Sequence, residues 1–186
     1  MTLAVAAPER LETERLILRR PRPEDAEAIY TRYASDPDVA RYMGFPQHRS
    51  IEATTAFLER NEDEWKKKGA GAYVIESRDG RFLGGTGIHV ETAYRAATGY
   101  VLAKDAWGQG YATEAMTVLV ALAPQLQIVR LYALTHLENR PSWRVLEKCG
   151  FQREAVLRRH FVFPNLGPEP CDVYLYARIF PPEARA

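Results

Sequence analysis

Between residues 98 and 123 the chain changes its hydrophobic rhythm once, across a loop that carries Gly108 and Gly110. Residues 98–102 read as a β run, and from Tyr111 the apolar residues crowd together as in a buried helix closed by Pro124. A strand that runs through a glycine turn straight into a helix belongs to an α/β arrangement. Glycines there also bare the backbone N–H groups at the positive end of the helix dipole. That makes an anion site suited to a pyrophosphate. The same Gly-x-Gly spacing serves an ordinary tight turn, so the segment constrains architecture before it constrains function.

The rest of the chain alternates in the same way. Residues 15–19 (RLILR) read as a half-buried strand, stopped by Pro21 and Pro23. Pro23 suits the first turn of a helix in which Ala26, Ile29, Tyr30 and Tyr33 form an apolar stripe, ending near Asp36-Pro37. A second helix is expected over 51–68, its stripe of Thr54, Leu58 and Trp65 interrupted by Asn61 and stopped at Gly69. Residues 72–76 and 82–90 form a hairpin signal about Asp79-Gly80. Residues 129–135 read as a buried strand. A short helix over 140–148 follows, with Asn139 as N-cap and Gly150 as left-handed C-cap, and then strands over 151–157 and 171–178. Hairpins in the middle and strand–helix–strand units later imply a mixed sheet with helices on both faces. Residues 13–178 are expected as one domain, with 1–12 as a leader and 179–186 as a tail.

Composition narrows the function classes. With 186 residues, 46% of them apolar, the chain can bury a core without disulfides, and Cys149 and Cys171 fit a reducing compartment. A formal net charge of +1 gives no field for nucleic acid or anionic lipid. No apolar run approaches the roughly 18 residues of a membrane span. A cytoplasmic protein, monomer or homodimer, is the expectation. His48, His89, His136 and His160 are scattered and neither cysteine has a partner at ligand spacing, so no metal is expected. The P-loop lysine is missing after Gly84-Gly85-Thr86-Gly87. A dinucleotide fingerprint fails at Thr113 and lacks its acid on the next strand.

Three segments together resemble the GNAT superfamily of acetyl-CoA-dependent N-acetyltransferases, in its RimJ/RimL-like branch. They are Thr13-Glu-Arg-Leu-Ile-Leu-Arg19 with Pro23-Glu-Asp-Ala26 and Ser35-Asp-Pro-Asp-Val-Ala40; Gly99-Tyr100 through Trp107-Gly-Gln-Gly-Tyr-Ala-Thr-Glu-Ala115; and Asn139-x-x-Ser142 with Val-Leu-Glu-Lys-Cys-Gly-Phe151. The resemblance implies an α/β (α+β) fold with a mixed, mostly antiparallel sheet of about seven strands. Helices would cover both faces, and the sheet would splay between its fourth strand (98–102) and fifth (130–135). It implies that the backbone of Val101 and Leu102 meets the pantetheine arm of acetyl-CoA. Gly108, Gln109, Gly110, Tyr111, Ala112 and Thr113 would hold the pyrophosphate, with the Asn139 side chain facing the cofactor arm; apart from the resemblance, Arg144 forms a basic stripe with Arg140 and Lys148, either a solvated face or a contact with a ligand phosphate.

Such enzymes pass the acyl group directly from thioester to amine, which requires a base for the amine and a donor for the leaving sulfur. The tyrosine that often serves as donor is replaced by Leu146, which shifts that role to Ser142. Glu138 and His136 are candidate bases, with His89, Glu91 and His160 behind them. The resemblance favours a primary amine acceptor, a protein or peptide N-terminus first, with a polyamine or other small amine as the alternative. A sensor that binds acyl-CoA without turnover, and a polyanion contact through Arg153, Arg158, Arg159 and His160, are the competing readings.

Overall fold

The computed structural model describes Leu3 and residues 5–181. Eight strands form one sheet: β1 (Arg10–Glu12), β2 (Leu16–Arg19), β3 (Ala72–Ser77), β4 (Phe82–Val90), β5 (Arg95–Leu102), β6 (Arg130–His136), β7 (Gln152–Val162) and β8 (Pro170–Ile179). Their spatial order is β1-β2-β3-β4-β5-β6-β8-β7. Every neighbouring pair is antiparallel except β5 and β6. The helices are α1 (Ala26–Ile29), α2 (Pro37–Ala40), α3 (Ile51–Lys68), α4 (Tyr111–Gln125) and α5 (Arg140–Lys148).

The expected mixed sheet is present with one strand more than the pattern suggested. β1 lies within the expected leader and pairs with β2 from Arg10↔Arg19 to Glu12↔Ile17. Ala7 is buried beside it and donates its N–H to Gly69. At the other end β8 continues to Ile179, and Phe180 is buried. The leader and tail residues 1, 2, 4 and 182–186 lie outside the described residues.

The sheet opens at one place. β5 and β6 pair only at Arg95↔Arg130, Ala96↔Leu131 and Ala97↔Tyr132, and diverge beyond. The three residues that close the sheet are the ones by which β5 exceeds its expected start at residue 98. The open edge of β5 begins at Thr98.

Two cores hold the opening in shape. The larger gathers the buried stripe of α4 (Ala112, Ala115, Met116, Leu119) and Leu146 of α5 against Ile88, Leu102 and Leu131 of the sheet. The smaller packs Ile29, Tyr33, Val39 and Leu58 with Phe57, Phe82 and Val101. Asn61, expected to break the α3 stripe, is itself buried, and its Oδ1 accepts the Ala72 N–H at 2.7 Å, so α3 caps the start of β3. Pro124 sits inside the last turn of α4 and does not close it; the helix ends when Gln127 adopts a left-handed φ of 60°. After α1 the backbone widens into a π turn, Tyr30–Ala34, which sets Tyr33 against the sheet.

Candidate active site

The loop between β5 and α4 adopts the conformation its glycines permit. Gly108 and Gly110 have φ of 73° and 83°, left-handed values that cost other residues about 1–2 kcal/mol. None of the six backbone N–H groups from Gly108 to Thr113 has an acceptor among the described residues, and Gly110, the N-cap of α4, has no side chain to supply one. Six unpaired donors therefore converge at a helix N-terminus. The Gln109 side chain turns away and donates to the Asp105 carbonyl at 2.7 Å, so only its backbone faces this nest.

Arg15, which the sequence placed simply in a strand, braces the turn. Its guanidinium donates to the Gln109 carbonyl at 3.1 Å, pairs with Glu114 at 2.6 Å and lies 4.7 Å over the Tyr111 ring. Burial works against ionisation of Glu114, but Thr13 and Arg15 outweigh it and hold the carboxyl below its usual range. The acid in the first turn of α4 is thus neutralised, and the helix end stays positive.

The opening of the sheet continues into a cavity of about 390 Å³. On one side it is lined by Thr98, Tyr100, Thr135, Asn139 and Ser142; on the other it is aromatic, with Tyr33, Tyr42, Phe45, Phe57 and Phe161. The floor between them has almost no side chains, because Gly85 and Gly99 face it from neighbouring strands. Asn165, in the β7–β8 turn, fastens the loop over the aromatic end. It donates to the Ala40 and Phe45 carbonyls at 2.7 and 2.9 Å and accepts from the Gln47 N–H at 2.7 Å.

Four polar groups meet where β5 leaves β6. Asn139 sits at the N-cap of α5, but its side chain makes no capping bond and lines the cavity instead; this corrects its expected capping role. Tyr100, read from sequence only as a strand residue, faces the Ser142 hydroxyl. Burial pushes the Tyr100 phenol up to about 12, with the Ser142 contact working in the opposite sense. Tyr100 therefore remains a neutral donor at physiological pH. The Thr135 hydroxyl is buried and has no partner, an unmet polar group at the opening.

The remaining expected residues fall in different places. Val101 turns its carbonyl toward Gly84, where an added Cβ would lie 2.1 Å from it, and the Ala103 N–H bonds Leu83. By strand alternation the backbone edge presented to the opening belongs to Tyr100 and Leu102, which corrects the expectation for Val101. Arg144 is exposed, its guanidinium 6.0 Å from the Trp143 ring. His136 and Glu138 stand beside the cavity lining. The His136 ring stacks on Tyr42 at 4.9 Å, meets the edge of Phe163 at 5.2 Å, and accepts the Glu138 N–H at 3.2 Å. Cys149 is buried, its thiol pushed up by burial, and both cysteines are free. Among the described residues no group of three His, Cys, Asp or Glu could hold a metal ion, and no helix is long and apolar enough to cross a membrane.

The site is thus a sheet opened between parallel neighbours, with an amide nest at the end of one of them. Residues 15–152 match the acetyltransferase (GNAT) domain model, and the chain belongs to that family as an N-acetyltransferase. It is 35% identical over 168 residues to the uncharacterized N-acetyltransferase YoaA of Bacillus subtilis, covering 88% of this chain and 94% of that one. It superposes on the Mycobacterium smegmatis RimJ structure, a complex with CoA-disulfide, with TM-score 0.77 and 26% identity over 88% of this chain and 81% of that one. It shares its fold with RimL, the ribosomal L7/L12 alpha-N-protein acetyltransferase in complex with coenzyme A. That TM-score is 0.81 at 20% identity, over 92% and 98% of the two chains.

Proposed function

We propose that this N-acetyltransferase acts on the α-amine of a peptide or protein N-terminus. The single observation that carries the reading is the continuity of the cavity, from the polar opening of the sheet to an aromatic chamber whose lining contains no carboxylate. A polyamine or lysine side chain enters as a strongly basic ammonium of pKa about 10.4, and at pH 7 its deprotonation costs about 4–5 kcal/mol. An α-amine of pKa about 8 needs only about 1 kcal/mol. A chamber without an acid gives a polycation nothing to pair with, whereas one α-amine beside an apolar side chain fits its aromatic walls. RimL, named as an alpha-N-protein acetyltransferase, shares the fold.

Acetyl-CoA supplies an activated acyl group, and the residues at the opening suit it. The amides of Gly108, Gln109, Gly110, Tyr111, Ala112 and Thr113 meet the pyrophosphate. The Leu102 N–H and the unpartnered Thr135 hydroxyl meet amide groups of the pantetheine arm, and Asn139 faces that arm from α5. Arg144 adds only positive charge at a distance. An N–H on the open edge of β5 steadies the oxyanion that forms on attack. Ser142 donates to the departing sulfur, with the Tyr100 hydroxyl behind it. Holding amine and thioester in one cavity removes the entropy of their encounter.

The test is free-thiol release from acetyl-CoA with a panel of acceptors: short peptides with free N-termini, N-terminally blocked lysine peptides, spermidine and an aminoglycoside. The highest kcat/KM is expected for a free N-terminus followed by an apolar side chain. A higher kcat/KM for spermidine would refute the assignment.

A further inference from the structure

We infer that His89, oriented by Glu64, is the base that removes the proton from the acceptor amine. This rests on the reading that the aromatic half of the cavity receives the acceptor. His89 is the one imidazole or carboxylate side chain in the cavity lining among the described residues. Its Nδ1 lies 2.9 Å from Glu64 on α3, and Glu64 in turn reaches Lys68 Nζ at 3.2 Å. Burial opposes ionisation of Glu64, yet the hydrogen bond and charge of His89, together with Lys68, hold its carboxyl below the usual range. An anionic carboxylate on Nδ1 keeps the proton there, which leaves the lone pair of the neutral ring on Nε2.

Nε2 stands where a base is needed. It lies over Gly87, 3.0 Å from the position a Cβ would take there, and Gly87 pairs across the sheet with Gly99. Two residues before Gly99 is Ala97, the last residue of β5 paired to β6. The nitrogen is therefore about one strand spacing, roughly 4.8 Å, from the β5 backbone whose far edge borders the opening, so an acceptor nitrogen held at the opening reaches it directly or through one water. The charged groups around His89 are Glu64 and Lys68 from α3 and, just past the end of β4, Glu91, which is already paired with Arg95 of β5. β3 contributes Ala72, which is uncharged. His136, by contrast, accepts the Glu138 N–H on Nδ1, so its neutral ring carries the proton on Nε2, and it lies outside the lining.

The step balances without a further reactant. The ammonium gives one proton to His89 Nε2, and the neutral nitrogen attacks the thioester carbonyl carbon. As the C–N bond forms and the C–S bond breaks, the sulfur leaves with the electron pair. The second nitrogen proton reaches the sulfur through the Ser142 hydroxyl. The imidazolium returns its proton to water, to which the half-exposed ring has access. One proton is released per acetyl group transferred.

Three variants of the full chain test this: His89→Gln, Glu64→Gln and, as control, His160→Gln. Turnover with acetyl-CoA and the best N-terminal peptide is followed from pH 5.5 to 9, and imidazole nitrogen shifts are recorded by NMR on the protein alone. His89→Gln should lower kcat about 100-fold with both KM values within about threefold, and should lose the acidic limb of the pH profile. Glu64→Gln still accepts from Nδ1–H, so it should keep most of kcat. NMR should find the ring protonated on Nδ1 in wild type and in Glu64→Gln alike. His160→Gln should match wild type throughout. A His89→Gln enzyme within threefold of wild type, or a ring protonated on Nε2, overturns the inference alone. A wild type that transfers acetyl to no amine overturns the acceptor reading and this inference together.

Discussion

Replacing Gly110 with aspartate separates binding from folding. Gly110 is the N-cap of α4 at φ 83°, and a Cβ there would meet only Arg15 Nη2 at 3.5 Å, so no clash arises. The left-handed conformation costs a non-glycine residue about 1–2 kcal/mol, and an aspartate N-cap returns about 1 kcal/mol by accepting from Ala112 and Thr113. Net stability should fall by no more than about 1 kcal/mol, a drop in Tm of about 2–4 °C. Binding suffers far more. The carboxylate takes two amides from the pyrophosphate, at about 1.5–3 kcal/mol each for charged partners. It also sets a negative charge about 4 Å from phosphate oxygens, worth about 1 kcal/mol in water and about 4 kcal/mol at an effective dielectric of 20. The smallest of these terms together give about 4 kcal/mol, or about a 1,000-fold rise in Kd for acetyl-CoA. Gly110→Asn caps in the same way without the charge and should lose only about 10- to 100-fold. The ratio between the two variants should shrink as salt rises. Calorimetric titration with acetyl-CoA, beside a thermal melt, measures both quantities. A folded Gly110→Asp protein that binds acetyl-CoA within threefold of wild type would refute the placement of phosphate on this turn.

Three further outcomes are expected. Ser142→Ala should lower kcat about tenfold or more while leaving the Kd for acetyl-CoA within threefold; unchanged turnover would return Ser142 to a helix-end role. Asn165→Ala removes three hydrogen bonds that hold the loop over the aromatic chamber, so the acceptor KM should rise several-fold while titration with acetyl-CoA is unchanged. Asp25, two hydrogen bonds from Arg19 at 2.7 and 2.8 Å, concerns acid stability. Burial alone would raise its pKa, but Arg19 and the Arg22 N–H outweigh it and depress the folded value below 3.8. The stabilisation is present above 3.8 and is lost as pH falls through the folded value. Denaturant midpoints of Asp25→Asn should therefore fall less steeply than wild type below pH 4, from a lower starting stability.

Patterning revealed most of the frame. The residue bounds of α3, β4 and α5 follow directly from their stripes and stop signals, because each is long or sharply punctuated. β1 escaped notice because three residues, mostly exposed, carry no hydrophobic alternation and exist as a strand only through β2. Asn61 read as a flaw in a helix because its partner, the Ala72 N–H, becomes visible only when α3 lies on the sheet. The phosphate turn was legible because its requirement is local: two left-handed residues, then a helix start. The rest of the site is built across the fold. His89 gains its meaning from Glu64, twenty-five residues earlier, and Tyr100 from Ser142 on another element. Asn165 is meaningful only through the loop it ties, more than a hundred residues away. Thr135 looked like one more β-branched strand residue until its hydroxyl proved to have no partner.

The central claim is that one cavity holds acetyl-CoA in the opening of the sheet and an N-terminal amine beside it. A covalent conjugate of coenzyme A with the α-nitrogen of a short peptide, joined through an acetyl bridge, tests that adjacency by calorimetry. Because both halves then bind as one molecule, the conjugate should bind about 100-fold more tightly than coenzyme A itself. A conjugate to spermidine should gain little. If the peptide conjugate binds no better than coenzyme A, the aromatic chamber is not the acceptor site and the account is contradicted.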